Sequence, residues 1–287
     1  MKRPANHLKR AFRPIIKSLI TPSIIWNPVK LVVRRFPYIY VQLMELREWS
    51  ESRKKELDNR CSSILFSDRT VLNGPFKSMI YPEMKSIGSA LYPKLLGSYE
   101  RELYEVMDYI IEQDYDCIVV IGCAEGYYAV GLATRLENVS VYAFDIDQDA
   151  IRLCVTMAEL NNVQIHTGDH FSPGTFSKIN LGKRALIISD CEGYESEIFT
   201  LATRSHLEQH DLLIETHKIG KENTLTQIRN ILSHTHTISE YYSIHDTKRA
   251  SHYVYPELND FDIVEKTKIM TEYRNGKCTW VFARPGS

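Results

Sequence analysis

The sequence predicts an α/β fold built on a mostly parallel sheet with helices on both faces. Three observations point there. From residue 117, short continuous apolar runs alternate with amphipathic helical stretches, as strands buried on both faces do. The first run, "CIVVIG", enters a glycine turn, "GCAEG", and then a helical pattern. Every later run ends on glycine or polar residues, and open parallel sheets bind ligands beyond those strand ends.

The elements follow in order. Residues 1–35 carry nine Lys or Arg and no Asp or Glu, interrupted by prolines. With Ile15, Ile16, Leu19, Ile24, Ile25 and Trp26 beside the cations, the stretch fits a solvated arm, a peripheral membrane contact or a partner-binding segment. Ile39, Leu43, Leu46 and Trp49 recur at helical spacing, predicting a helix over 38–59. Residues 61–97 hold β-rich runs and an Asn-Gly-Pro turn and are expected to form a cap. Ser98 is placed as the cap of a helix that buries Leu103, Val106, Met107, Ile110 and Ile111.

Strands are expected at 117–122, 139–145, 163–168, 184–190, 211–215, 237–244 and 278–284. Helices are expected at 127–136, 149–160, 194–203 and 224–232. No helical crossover is visible between the last two strands, which suits an antiparallel pair. The division expected is 1–60 extension, 61–97 cap segment and 98–287 ligand-binding domain.

Composition sets limits. The 287 residues are 44% hydrophobic and 25% charged, with net charge −1, the balance of an ordinary globular chain. Outside residues 1–35, 26 basic and 36 acidic residues remain, which argues against a nucleic-acid partner. No run of 18 apolar residues predicts a spanning helix. Six cysteines without a CxxC pair suggest reduced thiols, a cytoplasmic setting and no structural zinc.

The strand ends deliver one constellation: Gly122, Cys123, Ala124, Glu125 and Gly126; Asp145, Ile146 and Asp147; Gly168, Asp169 and His170; Asp190, Cys191, Glu192 and Glu195; Glu215 and His217. Glycines let a ligand approach the backbone. Asp145 ends the second strand, where a carboxylate takes the hydroxyls of a ribose. An adenosine-type cofactor is implied. A dinucleotide prefers G-x-G-x-x-G with pyrophosphate at the helix start. Here Ala124 holds the middle position, and the acidic rim suits a cation better than a phosphate. S-adenosylmethionine, with a sulfonium, an ammonium and no phosphate, fits best.

"GCAEGYYAVGLA", "FDID", "GD" and, above all, "SDCEGYESEIF" followed by "LLIETH" resemble class I S-adenosylmethionine-dependent methyltransferases of the FkbM type. The resemblance spans about residues 95–285. It implies a Rossmann-like seven-stranded sheet with an antiparallel last strand, and methyl transfer to hydroxyls of sugars or small metabolites. It places Gly122, Glu125 and Gly126 at the methionine part, Asp145 at the ribose and Asp169 at the adenine. Val120 departs from the family's usual acid, and Glu125 is the expected substitute. Ala124 replaces a glycine. Both departures leave open a catalytically inactive binding module, attached to a membrane surface or a complex.

Cys123, Ala124, Ile146, His170 and Asp190 complete the expected cofactor contacts. Of Tyr127 and Tyr128, one is expected in the core and one, assigned as Tyr127, at the methionine pocket. His217 is the candidate general base, since its ordinary pKa suits proton removal near neutrality. Glu215 and Glu192 are expected to assist it. Asp190, Glu192, Glu215 and His217 also make a secondary donor set for a divalent cation, but no metal is assigned. His234 and His236 lack a third ligand and are read as surface residues.

Overall fold

A computed structural model describes residues 32, 35–48, 51–219, 222–274 and 279–286. The basic stretch 1–35, with its expected membrane or partner contact, lies outside these residues apart from Val32 and Arg35. The chain divides into two compact units, Met1–Ser67 with Asp246–Thr271, and Asp68–His245 with Glu272–Ser287.

The first unit contains helices α1 (Pro37–Glu48) and α2 (Glu51–Arg60). In α1, Val41 and Met44 are buried while Ile39, expected on the buried stripe, is exposed. In the second unit, residues 68–90 are mainly loop, and Thr70 bridges Ile80. Asn161 then acts as a strand edge: its Nδ2 donates to the Ile80 carbonyl and its Oδ1 accepts from the Ile80 N–H, both at 2.8 Å.

A separate short helix, α3 (Leu91–Leu96), precedes the one expected from Ser98, which starts later, with a 3-10 turn at Arg101–Leu103 that leads into α4 (Tyr104–Ile111). Gly97, at φ +76, closes α3 in the left-handed region, the usual glycine stop. Ser98 follows that stop and leans back on the Pro93 carbonyl, so it caps nothing.

The sheet then builds as β1 (Cys117–Ile121), α5 (Tyr127–Ala133), β2 (Ser140–Phe144), α6 (Gln148–Leu160) and β3 (His166–Gly168). It continues with β4 (Ala185–Ser189), α7 (Glu195–Ile198) and β5 (Asp211–Thr216). A two-residue hairpin, β6 (Lys218–Ile219) and β7 (Glu222–Asn223), precedes α8 (Thr224–Leu232) and β8 (His236–Tyr242). Between β8 and the final strand β9 (Thr279–Pro285) lie α9 (Asp246–His252) and α10 (Ile263–Ile269). The polar segment expected to be irregular is therefore partly helical, and it belongs to the first unit. Asp262 starts α10 with a capping box closed by Glu265, whose other oxygen takes Arg60 at 2.9 Å.

Strand order is β3-β2-β1-β4-β5-β9-β8. All neighbours pair in parallel except β9, which runs antiparallel to both β5 and β8. This is the expected seven-stranded Rossmann-like sheet. Every residue of β1 and β4 is buried, as strands covered on both faces require. One face packs Val119, Ile187, Leu212 and Val281 with Ile198, Ile228 and Ile231. On the other, the ring of Tyr109 from α4 meets Phe282 at 5.7 Å.

Register explains the site. Ile121 pairs with both Phe144 and Ser189, and Ser189 pairs with Ile214. The next residue on each strand is therefore Gly122, Asp145, Asp190 or Glu215, all in one row.

Candidate active site at the strand ends

The turn after β1 uses three left-handed residues, Gly122 (φ +78), Ala124 (φ +46) and Gly126 (φ +103). At Gly122 the space as well as the dihedral demands glycine, because a Cβ would collide with the Asp190 carbonyl. Ala124 adopts a conformation that costs a residue with a Cβ about 1–2 kcal/mol. It is held there by Asp145, whose Oδ2 accepts the Ala124 N–H at 2.8 Å while Oδ1 accepts the Asp147 N–H at 2.9 Å. The ribose candidate thus also ties the first loop to the second, and it lines the cavity.

That cavity, about 540 Å³, lies wholly in the second unit. Gly122, Cys123, Ala124, Tyr127 and Asp145 line it on one side, and Asp190, Glu192, Glu215 and His217 on another. Tyr127 and Tyr128 both reach it, their rings 5.3 Å apart and nearly perpendicular. The expected division, with only one of them at the pocket, does not hold.

Glu125 does not line the cavity. Its carboxylate is 1% exposed and takes the Lys94 ammonium at 2.7 Å, Ser86 Oγ at 2.8 Å, the Ile87 N–H at 3.0 Å and Tyr81 OH at 3.2 Å. Burial alone would raise its pKa, but Lys94 and these donors outweigh it and hold Glu125 below the ordinary range. Its charge is neutralised by Lys94 and anchors residues 81–94 to the glycine turn. The expectation that it replaces the missing acid at Val120 is corrected. Ile146, Asp169 and His170 are exposed beyond β2 and β3, outside the lined cavity. His236 is likewise not a surface residue; it is buried, its Nε2 3.1 Å from the His210 carbonyl.

His217 stands at the centre of the acids. Its Nε2 is 3.7 Å from Asp190 and 3.8 Å from Glu192, and its Nδ1 is 3.3 Å from Glu195. Burial would lower its pKa; Glu195 first, then Glu215 and Glu192, more than compensate and raise it. Its backbone is fixed to the start of α8, the N–H donating to Thr224 Oγ1 at 2.8 Å. Asp190, Glu192 and His217 also place one donor atom each within 4.8 Å of one another, a spacing open to a divalent cation.

Residues distant in sequence complete the lining, Glu272 and Arg274, with Glu100 buried behind them. Arg274 forms ion pairs with Glu100, Glu215 and, at 3.1 Å, Glu272. Tyr128 donates to the other Glu100 oxygen. Glu100 is pushed up to about 7, chiefly by burial and against the pull of Arg274. Burial, then Glu215 and Glu100, raise Asp190 well above the usual carboxylate range. Neither Glu100, Glu272 nor Arg274 carries a local sequence signal. Glu100 and Arg274 are separated by 174 positions, and only the fold reveals them as partners.

No protein-family model matches the chain, and no curated relative does. Among solved structures it is similar to a precorrin 8W decarboxylase from Methanobacterium thermoautotrophicum, at 16% identity over 66% of this chain and 91% of that one, TM-score 0.43. An rRNA methylase from Streptococcus thermophilus aligns at 13% identity over 66% and 99%, TM-score 0.45. The O-methyltransferase TomG from Streptomyces achromogenes, solved in complex with SAM, aligns at 11% identity over 65% and 79%, TM-score 0.42. At such identities and scores the overlays carry no functional weight, and strand order defines the fold by itself. Among the described residues no helix is long and apolar enough to cross a membrane.

Proposed function

We propose that the chain is an S-adenosylmethionine-dependent methyltransferase acting on a hydroxyl of a sugar or small metabolite. The observation that carries this is the row Gly122, Asp145, Asp190 and Glu215, set by strand register along one cavity. The residues fit the cofactor. Gly122 and Asp145 both line the cavity, and Asp145, fixed by two backbone N–H groups, ends the second strand, where a carboxylate takes ribose hydroxyls. The lining cations are already paired, Lys94 with Glu125 and Arg274 with three acids. Asp145, Asp190 and Glu192 add carboxyl groups to the wall beyond those that hold Arg274. A cationic donor is attracted there, and a pyrophosphate is repelled. In place of an acid at Val120, carboxyl groups stand at the ends of the next two strands, Asp190 one strand away and Glu215 two.

Bound donor supplies an electrophilic methyl group. The protein's part is to align an acceptor hydroxyl with it in a closed pocket, which accounts for much of the acceleration in such reactions. His217 Nε2 takes the hydroxyl proton, and the acids that raise its pKa, Glu195 first and then Glu215 and Glu192, stabilise the imidazolium that results.

Titration calorimetry with S-adenosylmethionine, S-adenosylhomocysteine and NAD tests the assignment. Binding of both sulfur nucleotides is expected; binding of NAD alone would reject it. Asp145→Ala should weaken S-adenosylmethionine at least tenfold, since a charged hydrogen bond contributes about 1.5–3 kcal/mol. His217→Ala should leave donor binding within a factor of about two while turnover falls by about 10²–10⁴. Undiminished turnover would remove His217 as the base.

A further inference from the structure

We propose that Glu195 is a positioning residue, the buried half of a Glu195–His217 dyad that fixes which imidazole nitrogen meets the substrate. The inference rests on the assignment of His217 as base and adds the residue that aims it.

The turn after β4 builds the dyad. Glu192 (φ +53) and Gly193 (φ +106) are both left-handed and fold "DCEGYE" back beneath the strand end. Glu192 then projects outward, 89% exposed, while Glu195 turns inward and is fully buried. The Cys191 N–H donates to Glu195 Oε1 at 2.8 Å and pins that oxygen 3.3 Å from His217 Nδ1. The opposite ring nitrogen, Nε2, is left between Asp190 and Glu192 at the cavity wall.

The energetics favour one occupant of that contact. An ionised carboxylate removed from water needs a charged or hydrogen-bonded partner. Glu195 Oε2 has no hydrogen-bond partner among the described residues, and Oε1 takes the Cys191 N–H. The His217 ring is the largest single source of compensation, first among the groups that hold Glu195 ionised. Its Nδ1–H is not yet aligned on the oxygen, as is common before substrate tightens a catalytic hydrogen bond. The groups facing His217 are Asp190 and Glu192 from the β4 turn, Glu195 from α7 and Glu215 from β5. All are acids, but only Glu195 lies on the Nδ1 side at ion-pair distance. A carboxylate there selects the tautomer protonated on Nδ1 and leaves the Nε2 lone pair for the hydroxyl proton, the logic by which the third group of a hydrolase triad orients its histidine.

The test is nuclear magnetic resonance of the His217 ring nitrogens in the full chain, assigned by difference with His217→Ala, in the wild type and in Glu195→Gln. Wild-type His217 should be neutral as the Nδ1–H form above its pKa. Glu195→Gln should lower that pKa by about 1 unit or more and mix the tautomers, with Glu195→Asp restoring part of the shift. Where methyl transfer is measured, the acid limb of the kcat profile should move down by the same amount, with donor affinity unchanged. A wild-type Nε2–H tautomer overturns the dyad, and so does an unshifted pKa in folded Glu195→Gln; the wild-type spectrum decides alone if the variant does not fold. Because the spectra need no methyl donor, failure of the dyad and failure of the methyltransferase assignment are separate outcomes.

Discussion

At the scale of single residues, Glu125 shows how a sequence position misleads when its side-chain direction is unknown. It sits inside the glycine turn, yet its carboxylate turns away from the cavity to a Lys94 that is 3% exposed. Removing one partner of such a pair leaves a buried charge uncompensated, a loss of about 3–5 kcal/mol. Glu125→Gln should therefore lower the thermal midpoint at neutral pH, and any loss of donor affinity should follow from that loosening. The pH dependence has a definite sign. The folded pKa of Glu125 lies below its unfolded value, so the pair stabilises above the unfolded pKa and loses this contribution as pH falls through the folded one. Wild-type and variant melting curves should converge in acid; equal stability at pH 7 would show that the pair holds nothing together.

At the scale of elements, what the sequence revealed and what it hid divide by range. The alternation of β1, α5, β2 and α6 was legible because each strand is a continuous apolar run and each helix has local periodicity. Gly122, Asp145, Asp190 and Glu215 were legible as strand ends, and register alone then brings them level. Helix α3 was less visible, since its six residues, Leu91–Leu96, are too few to show a helical period. The network of Arg274 with Glu100 and Glu272 had no local pattern to read, because its order arises only when the 272–274 segment returns to the strand ends. Arg274 holds three acids there. Arg274→Met should let Glu100 rise further, since Arg274 is the group that opposes its burial. Stability near neutrality should fall by about 3–5 kcal/mol, measured by urea unfolding. A neutral result would show that protonation of the acids replaces the guanidinium without loss.

At the scale of the whole molecule, the charge distribution of the cavity makes a prediction about protons. Asp190 is raised by burial and by its acidic neighbours, and Glu100 is pushed up to about 7, so this cluster retains protons close to neutrality. An arriving cation favours the ionised form of a nearby carboxylate, and binding is then linked to proton release. S-adenosylmethionine carries one more positive charge than S-adenosylhomocysteine, while the two are otherwise closely alike. Calorimetry at pH 7 in phosphate and in Tris, whose ionisation enthalpies differ widely, reads the protons exchanged on binding. The methyl donor should release a larger fraction of a proton than its demethylated product. The same difference should weaken S-adenosylmethionine relative to the product as pH falls and the acids fill. Equal proton counts for the two nucleotides would mean that the acidic wall does not sense the sulfonium, and that donor recognition rests on Asp145 and the glycine turn alone.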